Sequence, residues 1–219
     1  MGIKAVIFDM DGLLFDTESL YIGESKKIVE SMGHHIPDAV YLDCVGASHP
    51  RTREILIENL GGDFPLEEWE KRIHHQVIEH LETRGVDKKS GVDGILSALK
   101  AQHIPMAVAS STRRKNVEGL LKLGGIRDYF DYLVCGDEVK HSKPDPEIFL
   151  KAAGALEIKP ANCLVFEDSF QGIRAANAAG MRPVMIPDLK QPDSEISGLC
   201  FRVCDSLLTA ENLLSELLS

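Results

Sequence analysis

Short apolar runs recur along this chain with helical segments between them, and this alternation restricts the folds that it can adopt. The runs are rich in Val, Ile and Phe and span residues 4–8, 104–109, 132–135, 163–166 and 182–186. Apolar runs that alternate with helices are typical of a parallel sheet joined by crossover helices. We therefore expect an α/β fold with a Rossmann-like, doubly wound parallel sheet.

The segment from residue 16 to residue 90 departs from this pattern. Strand signals are absent from it, and apolar residues follow helical spacing, as in Trp69, Ile73, Val77 and Leu81. A polar, glycine-containing stretch at 85–91 follows the segment. We interpret residues 16–90 as an inserted helical cap and residues 1–15 plus 91–219 as the α/β core.

Local signals support these boundaries. Asp145 and Pro146 suit the N-cap and first position of a helix, and Gly180 suits the position just after a helix that ends at Ala179. Cys135 and Cys163 fall inside apolar runs, so we expect buried thiols rather than disulfides.

Composition limits the partners of the chain. The net charge of −10 leaves no general basic surface for nucleic acid. No apolar run approaches the ~18 residues of a membrane span, and the N-terminus lacks the apolar stretch of a signal peptide. We expect a cytoplasmic monomer that binds neither nucleic acid nor membranes.

Two carboxylates, Asp9 and Asp11, come directly after the first apolar run. Ligands of open α/β sheets bind at the carboxyl ends of the strands, and side chains two residues apart project to the same side. Gly12 then allows a turn that a Cβ would block. The segment therefore suits catalysis, although acids in a solvated turn remain an alternative for this segment alone.

A calcium-binding loop is a further alternative for these acids. Such a loop needs an oxygen ligand at its fifth position, glycine at its sixth and glutamate at its twelfth. Counted from Asp9, these positions hold Leu13, Leu14 and Leu20. The sequence excludes this site.

Hydroxyl groups follow the second apolar run, at Ser110, Ser111 and Thr112. A hydroxyl and backbone N–H groups at a helix N-terminus can bind a phosphate. Serine and threonine are also the usual N-caps, so at least one of the three is expected to cap the next helix.

A lysine and two acids complete the set. Lys143 precedes Pro144, which restricts its backbone and suits it to hold a fixed cation against a phosphoryl group. Glu167 and Asp168 follow the fourth apolar run, and adjacent acids repel each other unless a cation lies close by. Together with Asp9 they suggest a Mg²⁺ site, while Asp168 or Ser169 could also cap the helix that follows.

These four segments, in this order, resemble the motifs of the haloacid dehalogenase-like hydrolase superfamily, in particular its β-phosphoglucomutase-like phosphatases with a helical cap. The resemblance covers nearly the whole chain, and four ordered motifs are a specific signal where one alone is not. The matching residues are Asp9-x-Asp11-Gly12-x-x-x-Asp16-Thr17-Glu18, then Ser110, then Lys143-Pro144, then Glu167-Asp168 with Gly172.

The resemblance implies a Mg²⁺-dependent phosphatase of small phosphorylated metabolites, sugar phosphates foremost. It makes Asp9 the nucleophile and Asp11 the general acid and base, while Ser110 with the Ser111 amide binds the phosphoryl group and Lys143 neutralises charge. Mg²⁺ would be held by Asp9, the main-chain carbonyl of Asp11, and Asp168, with Glu167 acting through water. Further substrate contacts are expected from Gly12, Thr112, Thr17, Glu18 and Arg51.

Three other functions compete with hydrolysis. The related mutases carry a histidine near the cap hinge, where this chain has Tyr21, and this difference favours a phosphatase over a β-phosphoglucomutase. A receiver-like signalling module is disfavoured by the early position of Asp9 and by the long helical insert. An inactive scaffold is disfavoured because every expected acid is present. The cap segment 46–51 could add substrate contacts, with Arg51 or Arg53 as an anion anchor.

Overall fold

The core of the chain is a six-stranded sheet in which all strands are parallel, in the order β3-β2-β1-β4-β5-β6. A computed structural model describes residues 2–44 and 49–218. This strand order is that of a doubly wound sheet, so the predicted fold class is confirmed. The strands are β1 (Ala5–Phe8), β2 (Met106–Ser110), β3 (Tyr132–Cys135), β4 (Cys163–Glu167), β5 (Arg182–Met185) and β6 (Arg202–Val203).

Five of these strands match the apolar runs to within two residues at each end. The sixth, β6, was not predicted because it has two residues, both exposed, and therefore shows no apolar pattern. It pairs with β5 through Val184 and Met185 at the edge of the sheet.

Eleven α-helices occur among the described residues. They are α1 (Thr17–Ser31), α2 (Asp38–Cys44), α3 (His49–Leu60), α4 (Leu66–Arg84), α5 (Val92–Ala101), α6 (Arg114–Leu123), α7 (Glu147–Ala155), α8 (Phe170–Ala178), α9 (Ser194–Leu199), α10 (Leu207–Asn212) and α11 (Leu214–Leu217). Within the described part of the chain, every helix is too short or too polar to cross a bilayer.

The hydrophobic core of the α/β unit lies between the sheet and its helices. Ile7 and Val165, from the central strands, are fully buried against Phe149 of α7 and Ala175 of α8 in one cluster. Cys163 belongs to the same cluster, and Cys135 is also buried, as predicted. The close packing of this layer fixes where the strand ends point.

The chain divides into two compact units, residues 1–15 with 87–219 and residues 16–86. The second boundary therefore comes earlier than the break after Ser90 that the sequence suggested. Residues 87–90 join the α/β unit because the N–H of Lys89 donates to Leu14 O (3.0 Å) and Lys88 pairs with Phe15 in a β-bridge.

The unit 16–86 is helical and has its own core. Helices α1 to α4 contribute to a cluster that includes Ile28, Leu56, Trp69 and Ile73. Trp69 Nε1 donates to Ser25 Oγ at 3.2 Å, which satisfies the indole within this apolar cluster. The helical periodicity around Trp69 is thus confirmed by α4.

The helix ends follow the sequence signals in part. Gly180 has a φ of +72° one residue beyond the C-cap of α8, as predicted. Helix α7 begins at Glu147, one residue later than expected, and its N–H donates to Asp145 Oδ1 (2.9 Å). The expectation that a hydroxyl at 110–112 caps α6 is wrong. Helix α6 begins at Arg114, whose N–H donates to Asp137 Oδ1 (2.9 Å).

Candidate active site

Asp9 lies at the carboxyl end of β1, in the middle of the sheet. Its N–H still donates to Phe166 O of β4 at 3.0 Å, so the ladder between the two strands fixes its backbone. The four residues before it are fully buried apolar side chains, which leaves Asp9 as the first polar group at this edge. The sheet therefore presents one carboxylate at its central strand end, where ligands of such folds bind.

Lys143 joins Asp9 to Glu167. Its Nζ lies 2.5 Å from Asp9 Oδ1 and 2.5 Å from Glu167 Oε1, and its side chain is 6% exposed. The Nζ also lies 5.0 Å from the ring centre of Phe149. One ammonium group thus neutralises part of the charge of two buried carboxylates.

These buried charges shift one another's pKa values. Burial raises the pKa of Asp9 above its ordinary value and the carboxylates of Glu167 and Asp11 raise it further, whereas Lys143 lowers it. Burial alone would lower the pKa of Lys143, but the carboxylates of Asp9 and Glu167 raise it above its ordinary value. One lysine therefore does not offset the whole cost of ionising these acids, and an additional cation would favour their ionised forms.

The acids are arranged to accept such a cation. Asp9, Glu167 and Asp168 are all buried, and each offers a carboxylate oxygen within 4.8 Å of the others. Carboxylate oxygens are the ligands that Mg²⁺ prefers, and it is bound in proteins through one or two of them. The donor set fits a hard divalent cation, and Asp9 and Asp168 meet as the sequence suggested.

Glu167 is held on both of its oxygens. Oε1 accepts from Lys143, and Oε2 accepts from the N–H (2.8 Å) and the hydroxyl (2.9 Å) of Ser169. The Ser169 hydroxyl in turn accepts from the N–H of Gly172 (3.0 Å), so Ser169 is the N-cap of α8. The first turn of α8 therefore fixes the orientation of this carboxylate.

Glycine is required at two places in the site. Gly12 has a φ of +75°, and a Cβ on it would collide with Asp168 Oδ2. A Cβ on Gly172 would collide with the carboxylate of Glu167. Both glycines leave room for the acids, which is the physical reason that these residue types occur in the first and fourth motifs.

Asp11 is held from the neighbouring strand β2. Its Oδ2 accepts from Ser110 Oγ at 3.2 Å and from Thr112 Oγ1 at 2.8 Å, and the N–H of Thr112 donates to Ser110 Oγ at 3.0 Å. Ser110 and Thr112 thus position this carboxylate, while Ser111 is exposed beside them. The structure brings Asp11 together with its predicted neighbours from residues about a hundred positions later in the chain.

The predicted substrate-binding residues of the cap belong to the helical unit. Thr17 and Glu18 form the first turn of α1. Arg51 Nη1 lies 2.9 Å from Glu54 Oε2 and 3.3 Å from Glu58 Oε1, both on its own helix. Their roles stay predictions. Within the cap segment 46–51, residues 46–48 lie outside the described residues.

Two other cap residues also have partners within the helical unit. Arg53 pairs with Glu70 at 2.5 Å. The Tyr21 ring packs edge-to-face on Trp69, with ring centroids 6.1 Å apart. Tyr21 is therefore part of the packing of the cap, and Arg53 forms an ion pair between two of its helices.

Sequence reasoning missed Lys89 and Asp188. Their side chains form an ion pair of 2.6 Å between Nζ and Oδ1, across 99 positions of sequence. Asp188 comes three residues after the end of β5, so it is an acid close to the carboxyl end of a strand, as Asp9 and Asp168 are. This signal could have identified Asp188, whereas no local pattern marks Lys89.

Several known proteins are similar to this chain in sequence. A "Phosphorylated carbohydrates phosphatase" of Thermotoga maritima is 35% identical over 83% of this chain and 84% of its own length. A Drosophila melanogaster protein named "Probable pseudouridine-5'-phosphatase" is 37% identical, over 83% of this chain and 80% of its own length. These names agree with the predicted enzyme class, a phosphoric monoester hydrolase.

A solved structure and a protein family also match this chain. The β-phosphoglucomutase of Clostridium difficile superposes with a TM-score of 0.80 at 27% identity, covering 98% of this chain and 96% of that chain. Residues 6–186 match the family described as haloacid dehalogenase-like hydrolase. This range includes all four motifs. The chain therefore belongs to the haloacid dehalogenase-like hydrolase family.

Proposed function

We propose that this protein is a Mg²⁺-dependent phosphatase of small phosphorylated metabolites, sugar phosphates foremost, that acts through a phosphorylated Asp9. The observation that carries the proposal is the pair of contacts from Lys143 Nζ to Asp9 and to Glu167, beside the buried group of Asp9, Glu167 and Asp168. This arrangement combines a carboxylate nucleophile with concentrated positive charge, and both are needed to bring a phosphate dianion close to a carboxylate.

The residues that would hold Mg²⁺ are Asp9, the main-chain carbonyl of Asp11, and Asp168, with Glu167 acting through water. When bound, the ion supplies charge neutralisation for the phosphoryl oxygens. Lys143 contributes a second positive charge next to Asp9. It stays protonated because its carboxylate neighbours raise its pKa. The phosphoryl group would bind to the hydroxyl of Ser110 and the N–H of Ser111.

In the first step, a carboxylate oxygen of Asp9 attacks phosphorus, and the bond from phosphorus to the ester oxygen breaks. Asp11 gives a proton to that oxygen, so the leaving group departs as an alcohol. When the Ser110 hydroxyl donates to the phosphoryl group, the hydroxyl of Thr112 still holds the Asp11 carboxyl group. The product of this step is an aspartyl phosphate at Asp9 and an ionised Asp11.

In the second step, Asp11 removes a proton from a water molecule, and the water oxygen attacks phosphorus. The bond between Asp9 and phosphorus breaks, inorganic phosphate leaves, and Asp11 is again protonated. Each half-reaction is a displacement at phosphorus, so the same positive groups stabilise both transition states. Asp9 and Asp11 return to their starting forms, as catalysis requires.

The names of the relatives support the proposed substrate class. Two relatives are named for phosphorylated carbohydrates and for pseudouridine 5'-phosphate, both of which are phosphate monoesters on a sugar. The net charge of −10 disfavours polyanionic substrates such as nucleic acid. A small sugar phosphate is the substrate that both considerations favour.

A β-phosphoglucomutase is the second candidate, because a solved enzyme of that name is similar over nearly the whole chain. The position of Tyr21 supports hydrolysis instead. It replaces the hinge histidine expected of a mutase, and its ring packs on Trp69.

The test is a screen of phosphorylated sugars, nucleotides and an aryl phosphate, with Mg²⁺ and with a chelator. Release of inorganic phosphate and conversion between sugar phosphates are both followed by ³¹P NMR. We expect Mg²⁺-dependent release by the wild type and a loss of at least ~10³-fold in kcat for Asp9→Asn, as for removal of other nucleophiles. A phosphorylated peptide containing Asp9, found by mass spectrometry after acid quench, would identify the intermediate.

The matched control is Asp128→Asn, which makes the same chemical change at an exposed aspartate of the α/β unit. It should retain the wild-type rate. Equal rates for the wild type and Asp9→Asn would remove the proposed nucleophile. Interconversion of β-glucose 1-phosphate and 6-phosphate without net phosphate release would replace the phosphatase by the mutase.

A further inference from the structure

Asp188 is a buried acid to which the proposed mechanism gives no role. Its side chain is 6% exposed, and its Oδ1 lies 2.6 Å from Lys89 Nζ. Lys89 is 27% exposed, so the pair lies partly inside the α/β unit. Burying an ion pair gains little stability by itself, which leaves the presence of this pair to be explained.

The second oxygen of Asp188 is more unusual. Oδ2 is buried and has no hydrogen-bond partner among the described residues. A buried acceptor without a partner is destabilising, more so if it is charged, and native proteins seldom leave one unless it serves a ligand, an ion or a water molecule. Oδ2 is therefore a candidate for binding something that arrives from outside the chain.

The direction of this oxygen indicates where that partner would lie. A Cβ built on Gly12 would be 3.2 Å from Asp188 Oδ2, and the same atom would collide with Asp168 Oδ2. The carboxylates of Asp168 and Asp188 thus face the same side of Gly12. Asp168 belongs to the group of three acids that can hold a divalent cation.

Asp188 is not one of those three acids, so direct coordination is not the role that the geometry favours. We propose that Asp188 Oδ2 accepts a hydrogen bond from a water molecule of the Mg²⁺ shell and so positions the ion against Asp168. The inference rests on the proposed function, since it concerns the same cation. Lys89 then serves to fix the Asp188 carboxylate through Oδ1 and leaves Oδ2 directed at the site.

The size of the effect can be estimated from other metal sites. Some residues bind a ligand or a water molecule of a metal ion rather than the ion itself. Removing such a residue typically lowers the metal affinity by about 10- to 100-fold. Asp188→Ala should therefore weaken Mg²⁺ binding by about 10-fold or more. Asp188→Asn keeps an oxygen acceptor and should recover part of that loss.

The experiment is isothermal titration of Mg²⁺ into the full-length wild type, Asp188→Ala, Asp188→Asn and the control Asp128→Ala. The double variant Lys89→Met/Asp188→Ala removes both members of the ion pair, so it keeps the test valid if Asp188→Ala alone folds poorly. The Mg²⁺ affinity of the double variant should also be about 10-fold lower than that of the wild type. Asp128→Ala should bind Mg²⁺ as tightly as the wild type does.

A dissociation constant for Asp188→Ala and for the double variant equal to that of Asp128→Ala overturns the inference. So does an Asp188→Asn variant that binds no better than Asp188→Ala, because the proposed hydrogen bond would then contribute nothing. Phosphate release by the wild type is measured on the same preparation. If the wild type binds no Mg²⁺ and releases no phosphate, the proposed function fails; if it does both, only the role of Asp188 is in question.

Discussion

Gly172 lies directly against the carboxylate of Glu167, and a Cβ at this position would overlap that carboxylate. Because Lys143 and Ser169 hold Glu167 on both oxygens, the carboxylate has no free direction in which to move. Gly172→Ala should therefore displace Glu167, destabilise the protein by about 1–3 kcal/mol and lower kcat. Urea unfolding and steady-state kinetics measure the two effects.

Gly154→Ala is the matched control for this substitution. Gly154 lies in helix α7 of the same unit, and a Cβ on it would meet nothing within 4 Å. Because glycine is unfavourable inside a helix, this variant should be more stable by about 0.5–1 kcal/mol, with unchanged kcat. If Gly172→Ala had the same stability and kcat as Gly154→Ala, the Glu167 carboxylate would be able to move away from the added Cβ.

Lys143→Met removes the ammonium group shared by Asp9 and Glu167. Because both carboxylates are buried, the loss should lower the free energy of unfolding by about 3–5 kcal/mol in the absence of divalent cations. Mg²⁺ should reduce this difference, since it supplies positive charge to the same acids and stabilises the folded state that binds it. Urea unfolding with Mg²⁺ and with a chelator gives the four values required.

The control for this pair of conditions is Lys122→Met, at an exposed lysine of helix α6. Its free energy of unfolding should differ from the wild type by no more than about 0.5 kcal/mol under either condition. If Lys143→Met were equally destabilised with and without Mg²⁺, the lysine and the ion would not act on the same carboxylates.

Thr112→Val tests the positioning of Asp11. The variant keeps the shape of the side chain but removes the hydroxyl that donates to Asp11 Oδ2 at 2.8 Å. A hydrogen bond to a charged group is worth about 1.5–3 kcal/mol, so kcat should fall by roughly 10- to 100-fold if this bond is kept in the transition state. Thr112→Ser restores a hydroxyl and should recover most of the rate. Equal rates for the two variants would show that Thr112 does not position the acid.

Much of this site could be predicted from the sequence because its main residues follow strands. Asp9, Ser110 and Glu167 each lie at the carboxyl end of a strand, and a parallel sheet gathers such ends at one edge. Asp188 also follows a strand, but its pairing with Lys89 could not be predicted, because the two residues come from distant loops and no local spacing joins them.

The same limit explains the errors in local structure. The N–H of Arg114 at the start of α6 donates to Asp137, which lies in a short 3-10 helix after β3, so a tertiary contact replaced the local cap that serine and threonine suggested. Strand β6 has only two residues, both exposed, and it depends on its pairing with β5. Short elements of this kind are stabilised by their neighbours and leave little pattern in the sequence.

The last prediction concerns Glu147, which anchors the loop that leads to Lys143. The hydrogen bond from Lys151 lowers the pKa of Glu147 most, burial opposes it, and the N–H groups of His141 and Lys140 lower it further, to about 2. The backbone bonds, both 3.0 Å to Oε2, join the loop to the first turn of α7. A pKa that is lower in the folded than in the unfolded state means that ionised Glu147 stabilises the fold.

The sign of the pH dependence follows from this shift. The stabilisation is complete above the ordinary pKa of 4.5 and decreases as the pH falls toward about 2, where the folded form also takes up a proton. Glu147→Gln should therefore lower the Tm at pH 7, and the difference from the wild type should shrink between pH 4.5 and pH 2. Thermal unfolding across this range is the measurement. Glu118→Gln in α6 is the control, because Glu118 forms a longer pair, of 3.5 Å, with Arg114 on its own helix. A Tm difference for Glu147→Gln that did not change with pH would mean that its ionised carboxylate is not what holds the loop.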